Sequence, residues 1–235
     1  MRYDGLDVLI KLAEHDGGLT EHLIKNTIFF HPDIVAEQAK KMRLTAISGK
    51  LPVRFSRKKS LYKIVDGIIQ ERSFSRDTEA AKKCEEEDIY TIVRDGIKVL
   101  VDRDGNYWVR QQIKQYTGEI VSVGKRNTIP NYMLSHIWGN TNDPYFFSAL
   151  WNLTLTPMHC SFILDKPDSH HEQIKAIKGL YKALCWELYR PDKLMDIDFI
   201  DIPEQQHIEQ ARYYINSCLL NFIPELDNNT SGIRP

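Results

Sequence analysis

The feature that most constrains this chain is the stretch from Tyr132 to Lys166, where regular and irregular segments alternate within 35 residues. It opens with a short apolar run that ends in Ser135-His136, which predicts a strand with an imidazole at its exit. A loop is predicted next, because residues that favour turns or fix φ accumulate there. They are Gly139, Asn140, Asn142, Asp143 and Pro144.

The second half of this stretch predicts another strand and then a helix. Residues Trp151 to Thr156 alternate and are rich in strand formers. Pro157 follows, and proline suits the first turn of a helix because its missing N–H would have no partner there. The predicted order is therefore strand, loop, strand, helix.

Three side chains in this stretch suit phosphodiester hydrolysis. A water must lose its proton near neutral pH, and histidine has the unperturbed pKa closest to that range, so His136 is the candidate general base. The amide of Asn152 can hydrogen-bond to the histidine-bearing loop and orient it. Charge on the phosphate and leaving oxygens needs a Lewis acid, and a carboxylate such as Asp165 holds Mg²⁺.

The stretch resembles the ββα-metal unit of the HNH nucleases over about one seventh of the chain. In that family a histidine closes the first strand and an asparagine opens the second, as His136 and Asn152 do here, 16 positions apart. The family's metal-binding positions correspond to Ser135, Ser161 and Asp165. Asp165 alone is a strong ligand for a hard cation, and the family's frequent Cys-x-x-Cys knuckles do not occur.

The resemblance implies an endonuclease that cleaves double-stranded DNA with one Mg²⁺ or Mn²⁺ ion and leaves 5′-phosphate and 3′-hydroxyl ends. A small chain of this kind resembles a restriction enzyme more than a repair or homing enzyme. Cutting both strands favours a homodimer, since one active site serves one strand and a two-fold enzyme matches a palindromic target.

Other interpretations of these residues remain open. Singly, His136 fits a structural histidine, Asn152 a strand-edge residue and Asp165 a solvated helix end. A nuclease of the PD-(D/E)xK type would need an Asp on a strand followed by Glu-x-Lys, and the nearest residues, Asp102, Glu119 and Lys125, have the wrong spacing. A non-catalytic nucleic-acid-binding protein that keeps the ββα fold is the main alternative, because serines occupy two metal positions.

Charge is unevenly distributed along a chain whose formal net charge is only −1. From Gln38 to Val65 no acidic residue occurs among nine basic ones, and basic side chains interleaved with Phe55 and Tyr62 can meet a phosphate backbone and stack on bases. A solvated surface is the plainer explanation of such a run. The predicted DNA-contact residues are Lys50, Arg54, Arg57, Lys58, Lys59, Lys63, Lys125, Arg126 and Lys166.

The remaining patterns predict an α+β protein in two parts. Residues 1–88 read as a helical, basic region for DNA contact or scaffolding, with helices over 6–15, 20–24, 32–47 and 61–71. Residues 89–235 read as an antiparallel β meander that leads into the 132–166 unit and then into helices over 171–189 and 204–222. The meander strands, 89–93, 97–101, 107–113 and 119–123, are separated by turn signals such as Asp95-Gly96.

No apolar run reaches the length of a membrane span, and the N-terminus lacks the regions of a signal peptide. These features favour a cytoplasmic protein without membrane contact. Four widely spaced cysteines indicate neither a zinc site nor a disulfide framework.

Overall fold

The computed structural model describes ten segments of the chain, without the side chains of Asp77 and Asp165. The segments are residues 9–11, 13–14, 17–54, 61–74, 76–91, 96–102, 106–121, 127–165, 172–197 and 200–223. The helices are α1 (Leu19–Asn26), α2 (Pro32–Ser48), α3 (Asp77–Glu86), α4 (Tyr107–Thr117), α5 (Ser161–Asp165), α6 (Glu172–Tyr189), α7 (Pro191–Met195) and α8 (Gln205–Asn216). The strands are β1 (Ile28–Phe30), β2 (Leu51–Val53), β3 (Leu61–Val65), β4 (Ile68–Arg72), β5 (Tyr90–Thr91), β6 (Ile97–Val101), β7 (Tyr132–His136), β8 (Leu153–Pro157) and β9 (Asn221–Ile223).

The predicted α+β class is confirmed, because the described residues include both helices and two mixed sheets. In the first sheet the strand order is β7-β8-β1-β9. Strands β7 and β8 are antiparallel, with His136 opposite Leu153, whereas β1 and β9 are parallel. None of the described helices is long and apolar enough to cross a membrane.

The main core lies around this first sheet and the helices α2 and α6. Large aromatic side chains, including Phe29, Phe147 and Trp151, are fully buried there. Buried hydroxyls find partners across long sequence separations: Tyr181 lies 2.6 Å from the Thr27 hydroxyl, and Tyr189 donates to the Phe30 carbonyl. Because polar groups without partners are costly inside a core, these bonds help to specify how α6 sits on β1.

The second sheet has the order β2-β6-β5-β3-β4 and encloses a small core of its own with α3. Its buried residues are Val53, Leu61, Ala80, Ala81, Cys84, Ile89, Val99 and Val101. Strand β3 pairs with β5, so that Leu61 lies opposite Thr91. These two residues fall on opposite sides of the predicted domain boundary at residue 88. A boundary between 1–88 and 89–235 therefore cuts through this sheet.

The helix predicted over 61–71 is wrong, because those residues form the β3–β4 hairpin. The turn between the strands is Asp66-Gly67, and both residues have positive φ, 52° and 78°. Asp-Gly with two left-handed residues is the signature of a type I′ hairpin turn, which matches the twist of the strands. The turn chemistry outweighs the weak helical spacing of the apolar residues.

The strand predicted over 107–113 is also wrong, since these residues begin helix α4. Val109, Ile113 and Thr117 are buried and recur every fourth residue, which is a helical period. The Asp102 carboxylate accepts hydrogen bonds from the backbone N–H groups of Asn106 and Trp108, so it satisfies donors at the helix start. Left-handed Gly118 ends the helix.

The meander is consequently only partly present. Strand β6 matches the predicted 97–101, and β5 covers two residues of 89–93, but residues 119–121 are not a strand. Strand β6 is antiparallel to β5 and parallel to β2, so the sheet is mixed. The predicted helix 32–47 is confirmed by α2, and the predicted helix 171–189 is confirmed by α6 over its described residues.

Candidate active site

The strand, loop, strand and helix of the 132–166 stretch occur in the predicted order. His136 is the last residue of β7, and a single 3-10 turn, Leu150–Asn152, leads into β8. Pro157 ends β8 instead of starting a helix, and α5 begins at Ser161 and packs against β7. Asn152 therefore lies just before the second strand, at the same end of the sheet as His136.

The imidazole of His136 is held in one orientation and one tautomer. Its Nε2 lies 3.0 Å from the backbone carbonyl oxygen of Phe147, and its ring stacks on the Phe147 ring with centroids 5.8 Å apart and 7° between planes. A carbonyl can only accept, so Nε2 carries the hydrogen in the neutral ring. Nδ1 is then unprotonated and is the atom that can take a proton.

Burial lowers the pKa of His136 from 6.5 to about 4. The hydrogen bond to the Phe147 carbonyl and the charge of Asp102 act in the opposite direction, and the cation of Arg54 adds to the lowering. Burial is the largest cause because an imidazolium loses its hydration inside the protein. His136 is therefore neutral at pH 7, which is the state a general base requires.

Asn152 ties the histidine-bearing loop to the second strand. Its Oδ1 accepts from the Trp138 N–H at 2.8 Å, and its Nδ2 donates to the carbonyls of Phe146 at 2.9 Å and Gly139 at 3.3 Å. The side chain is completely buried. The hydrogen bonding expected of Asn152 is present, and it fixes the loop that carries the Phe147 carbonyl.

Arg54 lies close to His136 and to the Phe147 ring. Its guanidinium carbon lies 5.7 Å from the centroid of that ring, and Nη2 donates to Asn106 Oδ1 at 2.5 Å. Its backbone N–H donates to the Thr141 carbonyl, which anchors the end of β2 to the loop. Within the described residues no carboxylate pairs with Arg54, so a fixed positive charge lies near His136.

The three predicted metal positions do not form a metal site among the described side chains. Ser135 is fully buried, and its hydroxyl has no hydrogen-bond partner among the described residues. The oxygen of this hydroxyl can therefore bind a metal ion. The Ser161 hydroxyl instead donates to the Met158 carbonyl at 3.0 Å. Asp165 ends α5, but its carboxylate lies outside the described atoms. The fit to Mg²⁺ is thus partial: two neutral hydroxyls, only one of them without a partner.

The predicted DNA-contact residues are placed differently from one another. Lys50 donates to the carbonyls of Cys84 and Glu87 and pairs with Asp88, and Lys63 pairs with Glu87 at 3.1 Å. These contacts give both lysines a role within the small sheet, whereas Arg54 reaches the candidate site. Arg57, Lys58, Lys59, Lys125, Arg126 and Lys166 lie outside the described residues.

A cleft of about 1140 Å³ opens beside His136 and Arg54. One wall is a row of lysines on α6 that the sequence interpretation missed, namely Lys175, Lys178 and Lys182. Their spacing of three and four residues places them on one helix face, and this spacing was the signal available in the sequence. Acidic Glu172, Asp201 and Glu204 also line the cleft, and Glu172 pairs with Lys175.

Residues 30–226 match the profile of a family described as "Uncharacterised protein PM1201". A relative of the same description from Pasteurella multocida (strain Pm70) is 31% identical over 94 residues. That alignment covers 39% of this chain and 39% of the relative. No solved structure matches.

Proposed function

Since the chain belongs to the family described as Uncharacterised protein PM1201, whose description names no activity, we propose from its site that it is a metal-dependent DNA endonuclease of the HNH type. The observation that carries this proposal is the joint placement of His136 and Asn152. One side chain is a neutral base with a fixed tautomer, and the other holds the loop that fixes it. The position of His136 on an open cleft supports a catalytic role, whereas its lowered pKa follows from burial and would also be found in a buried structural histidine.

In the proposed reaction His136 accepts a proton from a water at Nδ1. The Phe147 carbonyl, hydrogen-bonded to Nε2–H, stabilises the positive charge that develops on the ring. Arg54 and the lysines of α6 would bind the phosphates and position the scissile bond in the cleft. Asn152 keeps the base and its loop in the same relative position during the reaction.

Asp165 would be the charged ligand of the Mg²⁺ or Mn²⁺ ion that the HNH resemblance implies. Among the described residues the Ser135 hydroxyl has no partner and would be a neutral ligand, whereas the Ser161 hydroxyl would first have to give up its hydrogen bond to Met158. When bound, that ion supplies a Lewis acid for the charge on the phosphate and leaving oxygens. With so few charged ligands, water and substrate phosphate would complete its coordination, as Mg²⁺ tolerates. Metal binding would therefore be weak in the absence of DNA.

The finer parts of the proposal follow from the resemblance to small restriction enzymes. They are a double-stranded DNA substrate, 5′-phosphate products, and a homodimer that cuts a palindromic target, because one site cuts one strand. The proposed cytoplasmic location comes instead from the sequence, in which no apolar run reaches the length of a membrane span.

The second candidate function is a nucleic-acid-binding protein that has lost cleavage. The engaged Ser161 hydroxyl favours it, because a hydroxyl that donates to Met158 is a poor substitute for an anionic ligand. This protein would bind DNA through the same cleft and would not need His136 in its neutral form.

Incubation of the purified chain with supercoiled plasmid, with Mg²⁺ or with EDTA, tests the two functions. Under the nuclease proposal, plasmid is cut only with metal, and His136→Ala lowers cleavage roughly 10²- to 10⁴-fold with DNA affinity retained. His31→Gln, at the start of α2 and away from the cleft, is the matched control.

Two outcomes would reject the nuclease proposal. Wild-type protein that binds DNA but never cuts it, across a panel of target sequences and metals, would support the binding protein. Equal loss of binding and cleavage in His136→Ala would assign the histidine a structural role.

A further inference from the structure

A second group of ligand-type side chains lies apart from His136, where α1 meets the turn between β8 and α5. His22 comes from α1, and His159 and Cys160 come from the turn. Their nearest ligand atoms all lie within 4.8 Å of one another. None of the three lines the cleft beside His136, so the proposed nuclease chemistry does not use them.

The distance between the two imidazoles matches a shared metal ion. His22 Nε2 and His159 Nε2 are 3.3 Å apart. Zinc–nitrogen bonds of about 2.0–2.1 Å at the tetrahedral angle put two nitrogens roughly 3.3 Å apart. With a Zn–S bond of about 2.3 Å a thiolate would lie roughly 3.5 Å from each nitrogen, and the Cys160 sulfur already lies within 4.8 Å of both.

Backbone hydrogen bonds hold Cys160 in place. The Cys160 N–H donates to the Pro157 carbonyl at 2.8 Å, and the Ile163 N–H donates to the Cys160 carbonyl at 3.0 Å. Cys160 is fully buried, whereas His159 is exposed and His22 is half-buried. The sulfur therefore approaches from the core side, and solvent can reach the position between the imidazoles.

We propose that His22, His159 and Cys160 bind one divalent transition-metal ion of the zinc type, with water in the fourth position. Two imidazoles and one thiolate are borderline and soft ligands, which suit Zn²⁺ or Co²⁺ and not Mg²⁺. The ion links α1 to the turn that starts α5, the helix that carries Ser161 and Asp165. Its role is to fix that helix against the N-terminal part of the sheet.

A metal-free alternative gives the same contact between rings. Two neutral imidazoles at this separation can share one hydrogen, and the rings are tilted by 57° with centroids 5.7 Å apart. In that case the sulfur of Cys160 has no part in the contact. Detection of a metal–sulfur bond therefore separates the two explanations.

Titration of the untagged, metal-free full chain with Co²⁺ is the experiment. One equivalent should produce the visible bands of tetrahedral cobalt and a thiolate-to-cobalt band in the near ultraviolet. Zn²⁺ should remove both, and Mg²⁺ in excess should not. His159→Gln, an exposed position, should weaken Co²⁺ binding at least tenfold, and Cys160→Ala should abolish the near-ultraviolet band.

Cys218→Ser is the matched control, since Cys218 is exposed and is not one of the three grouped side chains, and this variant should bind Co²⁺ as wild type does. Zn²⁺ at a hundredfold excess over its Kd should also raise Tm by roughly 5–10 °C in wild type and in this control. A wild-type chain that gives no thiolate band, or a band that disappears in Cys218→Ser, would overturn the proposal. These readouts need no DNA, so the metal site and the nuclease proposal fail independently.

Discussion

Lowering the pH should destabilise the folded protein because its buried His136 resists protonation. The pKa of His136 in the folded chain gives the size of this effect. The folded chain holds the pKa of His136 at about 4, against 6.5 for the ordinary side chain. Between these values the unfolded chain binds a proton that the folded chain rejects, so stability falls as pH falls. The contribution of His136 to the free energy of unfolding amounts to about 3 kcal/mol. It is fully present above pH 6.5 and is lost between about pH 6.5 and 4.

Urea unfolding followed by tryptophan fluorescence, at half-unit steps from pH 7.5 to 4, measures this loss. Other groups titrate in the same range, so the useful quantity is the difference between wild type and a variant that cannot titrate there. His136→Asn and His136→Gln both remove the imidazole. Relative to either variant, wild type should lose about 3 kcal/mol across the window.

Parallel pH curves for wild type and both variants would refute the reasoning. They would show that the imidazole is hydrated in the folded chain and that burial does not lower its pKa. The cleavage assay gives a second measurement of the pKa of His136. The acid limb of kcat/KM, which reports the free enzyme's base, should fall only as pH approaches 4 and not near 6.5.

Three further outcomes are expected. Asn152→Ala should destabilise the chain by about 3 kcal/mol or more in urea unfolding, because it removes hydrogen bonds to two buried backbone groups and one partly buried one. Asn152→Asp should not restore stability, since a carboxylate cannot donate to the two carbonyls. Neutralising the α6 lysine row should reduce the slope of log K against log salt by roughly 0.9 per phosphate contact, whereas Lys40→Gln on α2 should not. That row is Lys175, Lys178 and Lys182. Asp165→Ala should abolish Mg²⁺-dependent cleavage, and full activity in this variant would show that another acid holds the ion.

Local signals predicted the centre of the candidate site well. A strand ending in His136 and a loop rich in turn residues lie where the sequence indicated, whereas Asn152 lies in the 3-10 turn just before β8 and not inside the predicted strand 151–156. Such features depend on neighbours within a few positions, and both strands pair directly with each other. The identity of the atom that orients the base, the Phe147 carbonyl, carries no side-chain signal and needed the structure.

Errors arose where two local patterns competed. Residues 61–71 have apolar residues at spacings that a helix tolerates, yet Asp66-Gly67 closes a hairpin. Residues 107–113 were bounded by apparent turn signals, yet the period of Val109 and Ile113 is helical and Asp102 caps the first turn. In the first segment the deciding residues adopt the left-handed φ of the turn, and in the second the deciding residue accepts hydrogen bonds at the helix start.

Long-range contacts explain what the sequence could not show about the two candidate sites. The backbone N–H of Arg54 donates to the carbonyl of Thr141 in the loop after β7, which brings Arg54 to the base, and the α6 lysines line the same cleft from a later helix. His22 and His159 are 137 positions apart, so no spacing rule for metal ligands would pair them. They meet because β1, directly after α1, pairs with β8 through Ile28 and Leu155. A strand register thus sets the distance between two imidazoles, and a change that shifts this register should remove Co²⁺ binding even with all three ligands present.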